Sequence, residues 1–273
     1  MIIDVNGSPA YCYTGGKAFN PRQGTLVFIH GAQNDHSVWA LQSRYCAHHG
    51  FNVLALDLPG HGRSGGAALA SVAAMADWVL ALLTAAGVEQ AALAGHSMGA
   101  LIALEASHRA PARVTHLAML GVTYPMKVSQ GLLDAARDNE QQAIDMVNIW
   151  SHSSIAQKPG FPGPGSWAMG GSQRLMQRLS SINGAQLFYT DFCSCNEYAG
   201  GQTAAEAVRC PALFIFGIHD MMTPPRSTAL LTGAIAHATV AKVAAGHALM
   251  QEQPDAVLDA LWAFLKTPVA QTA

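Results

Sequence analysis

Charge is scarce in this sequence. Lys and Arg number 15, Asp and Glu 17, and charged residues are 12% of the 273. No basic run occurs anywhere, so nothing offers an electrostatic footprint to a nucleic acid, and no such partner is expected. Long apolar runs are missing too. No stretch approaches the roughly 18 residues of a membrane span, so no membrane partner is expected. Met1-Ile2-Ile3-Asp4 has neither a basic flank nor a long apolar run, and reads as no signal peptide. Cysteine is sparse and odd in number. Cys12, Cys46, Cys193, Cys195 and Cys210 are scattered, which fits free thiols in a reducing cytoplasm better than a disulfide framework. Cys193-Ser194-Cys195 is too closely spaced for the usual zinc pair, and no metal is expected. No internal repeat is found.

Apolar residues are plentiful. They make up 50% of the chain, enough to bury a large core. A chain near 250 residues is an ordinary size for a single α/β unit. Leu26–Ile29, Val53–Leu56 and Ala91–Ala94 are short continuous apolar runs that end at His30-Gly31, Asp57 and Gly95. Runs apolar on both faces suit strands buried in a parallel sheet. Val72, Met75, Ala76, Val79, Leu82 and Leu83 recur at helical spacing, with Gly87 as a stop. After Gly99, Ala100, Ala103, Leu104 and Ser107 share a face, small enough to lie close to a sheet. Strand–helix–strand alternation predicts an α/β fold with right-handed crossovers and helices on both faces.

The rhythm changes after the strand read at Val114–Gly121. The next strand is read at Ala212–Phe216, then Thr239–Val243, with a closing helix at Pro254–Leu265. The residues between, 122–211, exceed what one crossover helix needs. Helical patterns there cover Gln130–Arg137, Glu140–Trp150, Ser172–Leu179 and Gln186–Tyr198, with a Pro/Gly-rich break at Pro159–Gly165. An insert with helices of its own predicts a lid over a site. The core is expected at 1–121 and 212–273, with the cap at 122–211.

Gly95-His96-Ser97-Met98-Gly99 matches Gly-x-Ser-x-Gly between an apolar strand and a small-residue helix, the context this pattern requires. A sharp turn there projects the Ser97 hydroxyl into open space, with the Met98 amide and the helix N-terminus beside it. A serine needs a base to act as nucleophile. His247, in Gly246-His247 just past the last strand, lies on the same sheet edge. His30, His61, His96 and His219 also reach that edge, each within a motif that suggests another role. His48, His49, His108, His116 and His237 read as helix or loop surface, and His152 in the insert as exposed. The base needs an acid. Asp220, after the strand Leu213–Phe216, gives the order Ser97, Asp220, His247; Asp57 is the rival, and its setting reads better as a structural turn. The second oxyanion donor is expected from His30-Gly31-Ala32, through the Ala32 amide.

Phe28–Gly31, Asp57–Ser64, Gly95–Gly99, Gly217–Asp220 and Gly246-His247, in this order, resemble the α/β-hydrolase fold superfamily. The resemblance spans Leu26–Ser107 and Ala212–Leu265. It implies a mainly parallel eight-stranded sheet, antiparallel at its first strands near residues 1–18, with the helical cap inserted after the sixth strand. It implies acyl transfer without a metal or organic cofactor. Haloalkane dehalogenases and epoxide hydrolases share the fold but use an Asp nucleophile, and Ser97 argues against both. A small-molecule substrate follows, with a carboxylic ester of small to medium, mostly apolar character expected first. Gly31, Tyr124, Trp150 and Met222 are taken as substrate-binding, with Met126, Trp167, Phe188 and Phe192 as further lining. A carbon–carbon (diketone) hydrolase, a lactonase or perhydrolase, and a ligand receptor with little turnover are the alternatives. A homodimer is left open.

Overall fold

The computed structural model describes residues 1–20, 22–160, 167–184 and 186–268. Five apolar segments build the centre of one sheet: β3 (Thr25–Ile29), β4 (Asn52–Leu56), β5 (Ala91–His96), β6 (Val114–Leu120) and β7 (Ala212–Gly217). β3, β4, β5 and β7 are buried at every residue, as strands covered on both faces must be. The edges differ. β1 (Ile2–Val5) and β2 (Ser8–Tyr13) alternate exposed and buried positions and pair antiparallel, and β8 (Thr239–Val243) is largely exposed on the other edge. The order is β1-β2-β4-β3-β5-β6-β7-β8, parallel from β4 to β8.

β3 has β4 on one side and β5 on the other. The loops leaving β3 and β5 therefore diverge, and a crevice opens at the strand C-termini, where α/β sheets bind ligands. Register brings the ends level: Ile29 pairs with Gly95, Gly95 with Met119, and Gly217 with Val243.

Helices cover both faces. α1 (Ala40–His48) has no counterpart in the apolar patterns of the sequence. It packs on the face later shared with the C-terminal helix. α2 (Val72–Ala85) starts where the Ser71 side chain accepts from the Ala74 amide and buries its apolar stripe. α3 (Met98–Arg109) is buried from Met98 to Ser107, its alanines allowing close approach to the sheet. Between β6 and β7 come α4 (Gln130–Asp138), α5 (Glu140–Ser151), α6 (Ala168–Asn183), α7 (Leu187–Glu197) and α8 (Gly201–Glu206). α6 is about twice as long as the stretch its apolar spacing suggests. Residues 161–165 of the Pro/Gly-rich break lie outside the described residues. The insert has a core of its own, with Leu132, Ala136, Ile144, Met176 and Phe188 buried together. α9 (Ala229–Ala234), α10 (Leu249–Glu252) and α11 (Pro254–Leu265) complete the chain.

One histidine departs from the expected surface set. His116 is not a surface residue. It sits in β6, buried, against the Phe264 ring of α11, and its ring pairs with Thr267 O at 3.0 Å.

Candidate active site

The turn at Ser97 is built by contacts that only glycine permits. Ser97 has φ 53° and ψ −117°, a conformation L-residues avoid unless their surroundings over-determine it. A Cβ at Gly95 would fall on the backbone of Gly99, and one at Gly99 on the carbonyls of Ile29 and His30. Strand and helix thus press together on either side of the serine, and β3 presses on the helix start. The Ser97 amide donates to Leu120 O at 2.9 Å. Met98 is the first residue of α3, so its amide has no intrahelical acceptor and adds to the positive end of the helix. Gly99→Ala should destabilise the fold by about 1–3 kcal/mol or more through overpacking. Urea denaturation checks this; an unchanged midpoint would refute the close approach.

His247 and Asp220 meet from neighbouring loops. The His247 Nδ1–H donates to Asp220 Oδ2 at 2.8 Å, and both residues are buried. Asp220 Oδ1 accepts from the Met222 and Thr223 amides, each at 2.8 Å, and Oδ2 from Thr223 Oγ1 at 2.7 Å. Burial opposes ionisation of Asp220, but the facing His247 and the Thr223 bonds outweigh it and hold the carboxyl at about 2. With Nδ1 committed, Nε2 is the nitrogen left for a proton from the cavity. Among the described residues no hydrogen bond joins His247 to Ser97 Oγ, although the two line the same cavities. Such contacts often tighten only around substrate.

Two of the other edge histidines, His96 and His30, brace this edge. His96 donates Nε2–H to His247 O at 2.9 Å, and burial pushes its ring down to about 3, keeping it neutral. His30 bonds Gly31 O through Nδ1 at 2.8 Å and accepts the Leu58 amide on Nε2 at 3.1 Å; burial lowers it to about 4. Asp57 is occupied elsewhere. It accepts the His36 amide and ring (2.8 and 2.7 Å) and the Arg63 amide (2.8 Å), which closes the turn after β4. Asp35, His36 and Asp57 bring three potential ligand atoms within 4.8 Å of one another. Each is already engaged, Asp35 with Ser37 and Arg178, so the cluster fits turn architecture better than a metal centre.

The loop after β3 brings Gly31 against the serine: a Cβ there would lie 3.2 Å from Ser97 Cβ. The next residues are held by the insert. The Gln33 amide donates to Asp191 Oδ2 of α7 at 2.8 Å, and its Nε2 to Ser180 Oγ of α6 at 2.8 Å. Asp191 also accepts His61 Nε2–H at 2.9 Å, and His61 Nδ1 faces Pro59 O at 3.0 Å. Burial disfavours the His61 cation, but Asp191 and the Pro59 carbonyl outweigh it and hold its pKa above the ordinary value. Removing one partner of a buried pair strands the other. Asp191→Ala should therefore lose about 3–5 kcal/mol. Because the His61 pKa is raised on folding, the loss should be full below about pH 6.5 and shrink as pH rises through the folded value. Denaturation across pH 5–9 checks this; a loss that grows with pH would overturn the ion pair.

Two cavities meet at Ala32, Ser97, Phe192, Met222 and His247. One spans about 620 Å³ including its open mouth and runs under α5 and α6; the other spans about 870 Å³ and runs toward Met126 and Trp150. Gly31, Trp150, Met222, Met126 and Phe192 lie on them as the sequence suggests. Tyr124 does not, which corrects its reading as substrate-binding. Its ring packs over Gly201 and its hydroxyl donates to Ala199 O at 2.6 Å. Phe188 is inside the core of the insert, and Trp167 points outward, donating to Gln157 O. His152 is the reverse case: it is buried and lines the first cavity. Asn148 was missed altogether. Its signal was present, since Ile144, Asn148 and Ser151 share one helical face, and a polar residue on a buried face calls for an explanation.

A family model described as "alpha/beta hydrolase fold" matches residues 24–254, and the chain belongs to that family. Hydrolytic chemistry is the class this membership supports. Over 221 residues the chain is 30% identical to (E)-2-((N-methylformamido)methylene)succinate hydrolase of Acinetobacter baylyi, covering 78% of this chain and 77% of that one. A 150-residue stretch, 53% of this chain, is 33% identical to the dihydrolipoyllysine-residue acetyltransferase component of an acetoin cleaving system from Pseudomonas putida, and spans 39% of that protein. Among solved structures, the enol-lactonase from Burkholderia xenovorans LB400 superposes with a TM-score of 0.81 at 21% identity, covering 98% of this chain and 100% of that one.

Proposed function

We propose that this hydrolase cleaves a carboxylic ester of a small to medium, mostly apolar substrate through an acyl-enzyme at Ser97. The observation that carries the reading is the strained Ser97 facing the same cavities as a His247 whose Nδ1 is bonded to the buried Asp220. Ser97 Oγ attacks the carbonyl carbon while His247 Nε2 takes its proton. Asp220 stabilises the imidazolium and keeps the ring in one tautomer. The amides of Ala32 and Met98 receive the oxyanion, each worth about 10²–10³ in rate. The imidazolium returns the proton to the leaving alcohol. Water, deprotonated by His247, then attacks the acyl carbonyl, releasing the acid and Ser97.

The apolar wall of the larger cavity, with Met126, Leu132, Trp150 and Phe192, supports an apolar substrate portion. The insert acts in this reading as the cap: its α5, α6 and α7 supply Asn148, Met176 and Phe192 to the walls. The free state of all five cysteines supports a cytoplasmic setting.

The test is a serine-reactive phosphonate with a panel of aryl esters of increasing acyl length, beside a lactone and a vinylogous diketone. Labelling of the wild type and not of Ser97→Ala, with ester turnover, is expected. Equal labelling of both proteins, or activity on the diketone alone, would refute the ester reading.

A further inference from the structure

Apolar surface predominates in both cavities at Ser97, and the larger one also carries Lys127. The one under α5 and α6 carries Asn34, Asn148, Ser151, His152, Ser172 and Gln251, and among the described residues no Lys, Arg, Asp or Glu lines it. Burial lowers the pKa of two of its histidines, His152 and His96, from the ordinary value.

Asn148 stands out on this wall. It is 2% exposed, and among the described residues its Oδ1 has no hydrogen-bond partner. Its backbone carbonyl accepts from His152 Nδ1 at 2.8 Å, and among the described residues no hydrogen bond engages its side-chain amide. Buried polar atoms are almost always paired, and an unpaired one is destabilising. A second such atom, His96 Nδ1, belongs to a residue lining the same cavity. A carboxamide can turn to present either its oxygen or its NH2, so it can meet a donor or an acceptor. It carries no charge, and among the described residues no carboxylate, Lys or Arg on this wall would balance an ion.

We infer that Asn148 is a specificity-determining residue that hydrogen-bonds an uncharged polar group of the substrate, such as a ketone, hydroxyl or amide, in the cavity under α5 and α6. The inference rests on the serine-hydrolase reading above. The ester would lie across Ser97 with its apolar part in the larger cavity and its neutral polar part against Asn148. A site built to pair with a polar group discriminates against the analogue that lacks it, because its own group is then left unpaired.

The test compares esters in matched pairs. One series carries a 3-oxo or 3-hydroxy acyl chain against the plain chain of equal length; the other carries a hydroxyl on the alcohol portion against its methylene analogue. In the wild type the polar member should be preferred in one series by about tenfold in kcat/KM. In Asn148→Leu the ratio should fall to near one, with phosphonate labelling of Ser97 retained. Asn148→Ala reads the same ratio should the leucine variant not fold. Thermal melting gives an arm independent of turnover: Asn148→Leu should melt higher than the wild type, since it removes an unpaired buried amide.

A preference that persists in both variants, or no preference in either series, would overturn the inference. So would a lower Tm in Asn148→Leu, which would mark the amide as structural. Failure of the hydrolase reading looks different: no ester of any kind is turned over, and Ser97 is not labelled.

Discussion

Ser97→Ala should lower kcat on an aryl ester by about five to six powers of ten, with KM little changed. His247→Ala should fall to a similar level, and the double variant should be no worse than either single one. The physical reason is that the two groups perform one step. Without the hydroxyl there is no atom to acylate. Without the imidazole the hydroxyl keeps its proton and is a poor nucleophile. In the proposed mechanism the residual rate would come from the Ala32 and Met98 amides, which would still receive a developing oxyanion. Ser97 is partly accessible at the cavity and the alanine removes a single oxygen, so the fold should be unaffected. Single-turnover kinetics on both variants checks this. A loss under a hundredfold in either, in protein free of contaminating esterase, would sink the assignment of nucleophile or base.

Asp220→Asn should lower kcat by about four powers of ten, and Asp57→Asn should leave it within about tenfold of wild type. The two carboxylates are both buried at strand ends, so burial does not separate them. Their partners do. Asp220 receives His247 Nδ1–H, and an amide there favours the opposite tautomer, with the proton on the nitrogen that must accept from Ser97. Asp57 receives His36 and Arg63, and its loss falls on the turn after β4. Asp57→Asn should therefore show itself as lower stability.

pH gives a second reading of Asp220. Its carboxyl lies at about 2 in the fold against an ordinary 3.8. A depressed pKa contributes stability above the ordinary value that is lost as pH falls through the folded one. The stability gap between wild type and Asp220→Asn should be full above about pH 5 and close between pH 4 and pH 2. Equal damage to kcat from Asp57→Asn and Asp220→Asn, in folded proteins, would reassign the acid.

What could be read from the sequence was local. Buried strands such as Leu26–Ile29 are legible because covering both faces demands uninterrupted apolar residues. The turn at Ser97 is legible because two backbones crowd it, and glycine at 95 and 99 is the chemical trace of that crowding. A parallel sheet sends its strand C-termini to one edge, so the order Ser97, Asp220, His247 could be proposed before any distance was known.

The insert resisted for the same physical reasons in reverse. Helical periodicity says that α4 to α7 each bury a face, but not against what. Tyr124 and Trp150 look alike in sequence; the first packs its ring over Gly201, and the placement of α5 brings the second to the cavity. The burial of His116 and His152 is not legible in sequence because a histidine ring is buried at little cost once a carbonyl accepts its N–H, and both acceptors, Thr267 O and Asn148 O, are set in place only on folding. Asp191 lies 158 residues from the Gln33 amide it accepts.

The sequence by itself therefore determined the sheet, the turn that holds Ser97 and the order of the three residues, since each is fixed by contacts between near neighbours or by the geometry of parallel strands. Only the tertiary structure decided which insert side chains face Ser97 and what holds the Ala32 loop, because those contacts are made between surfaces far apart in the chain, and periodicity does not carry information about them.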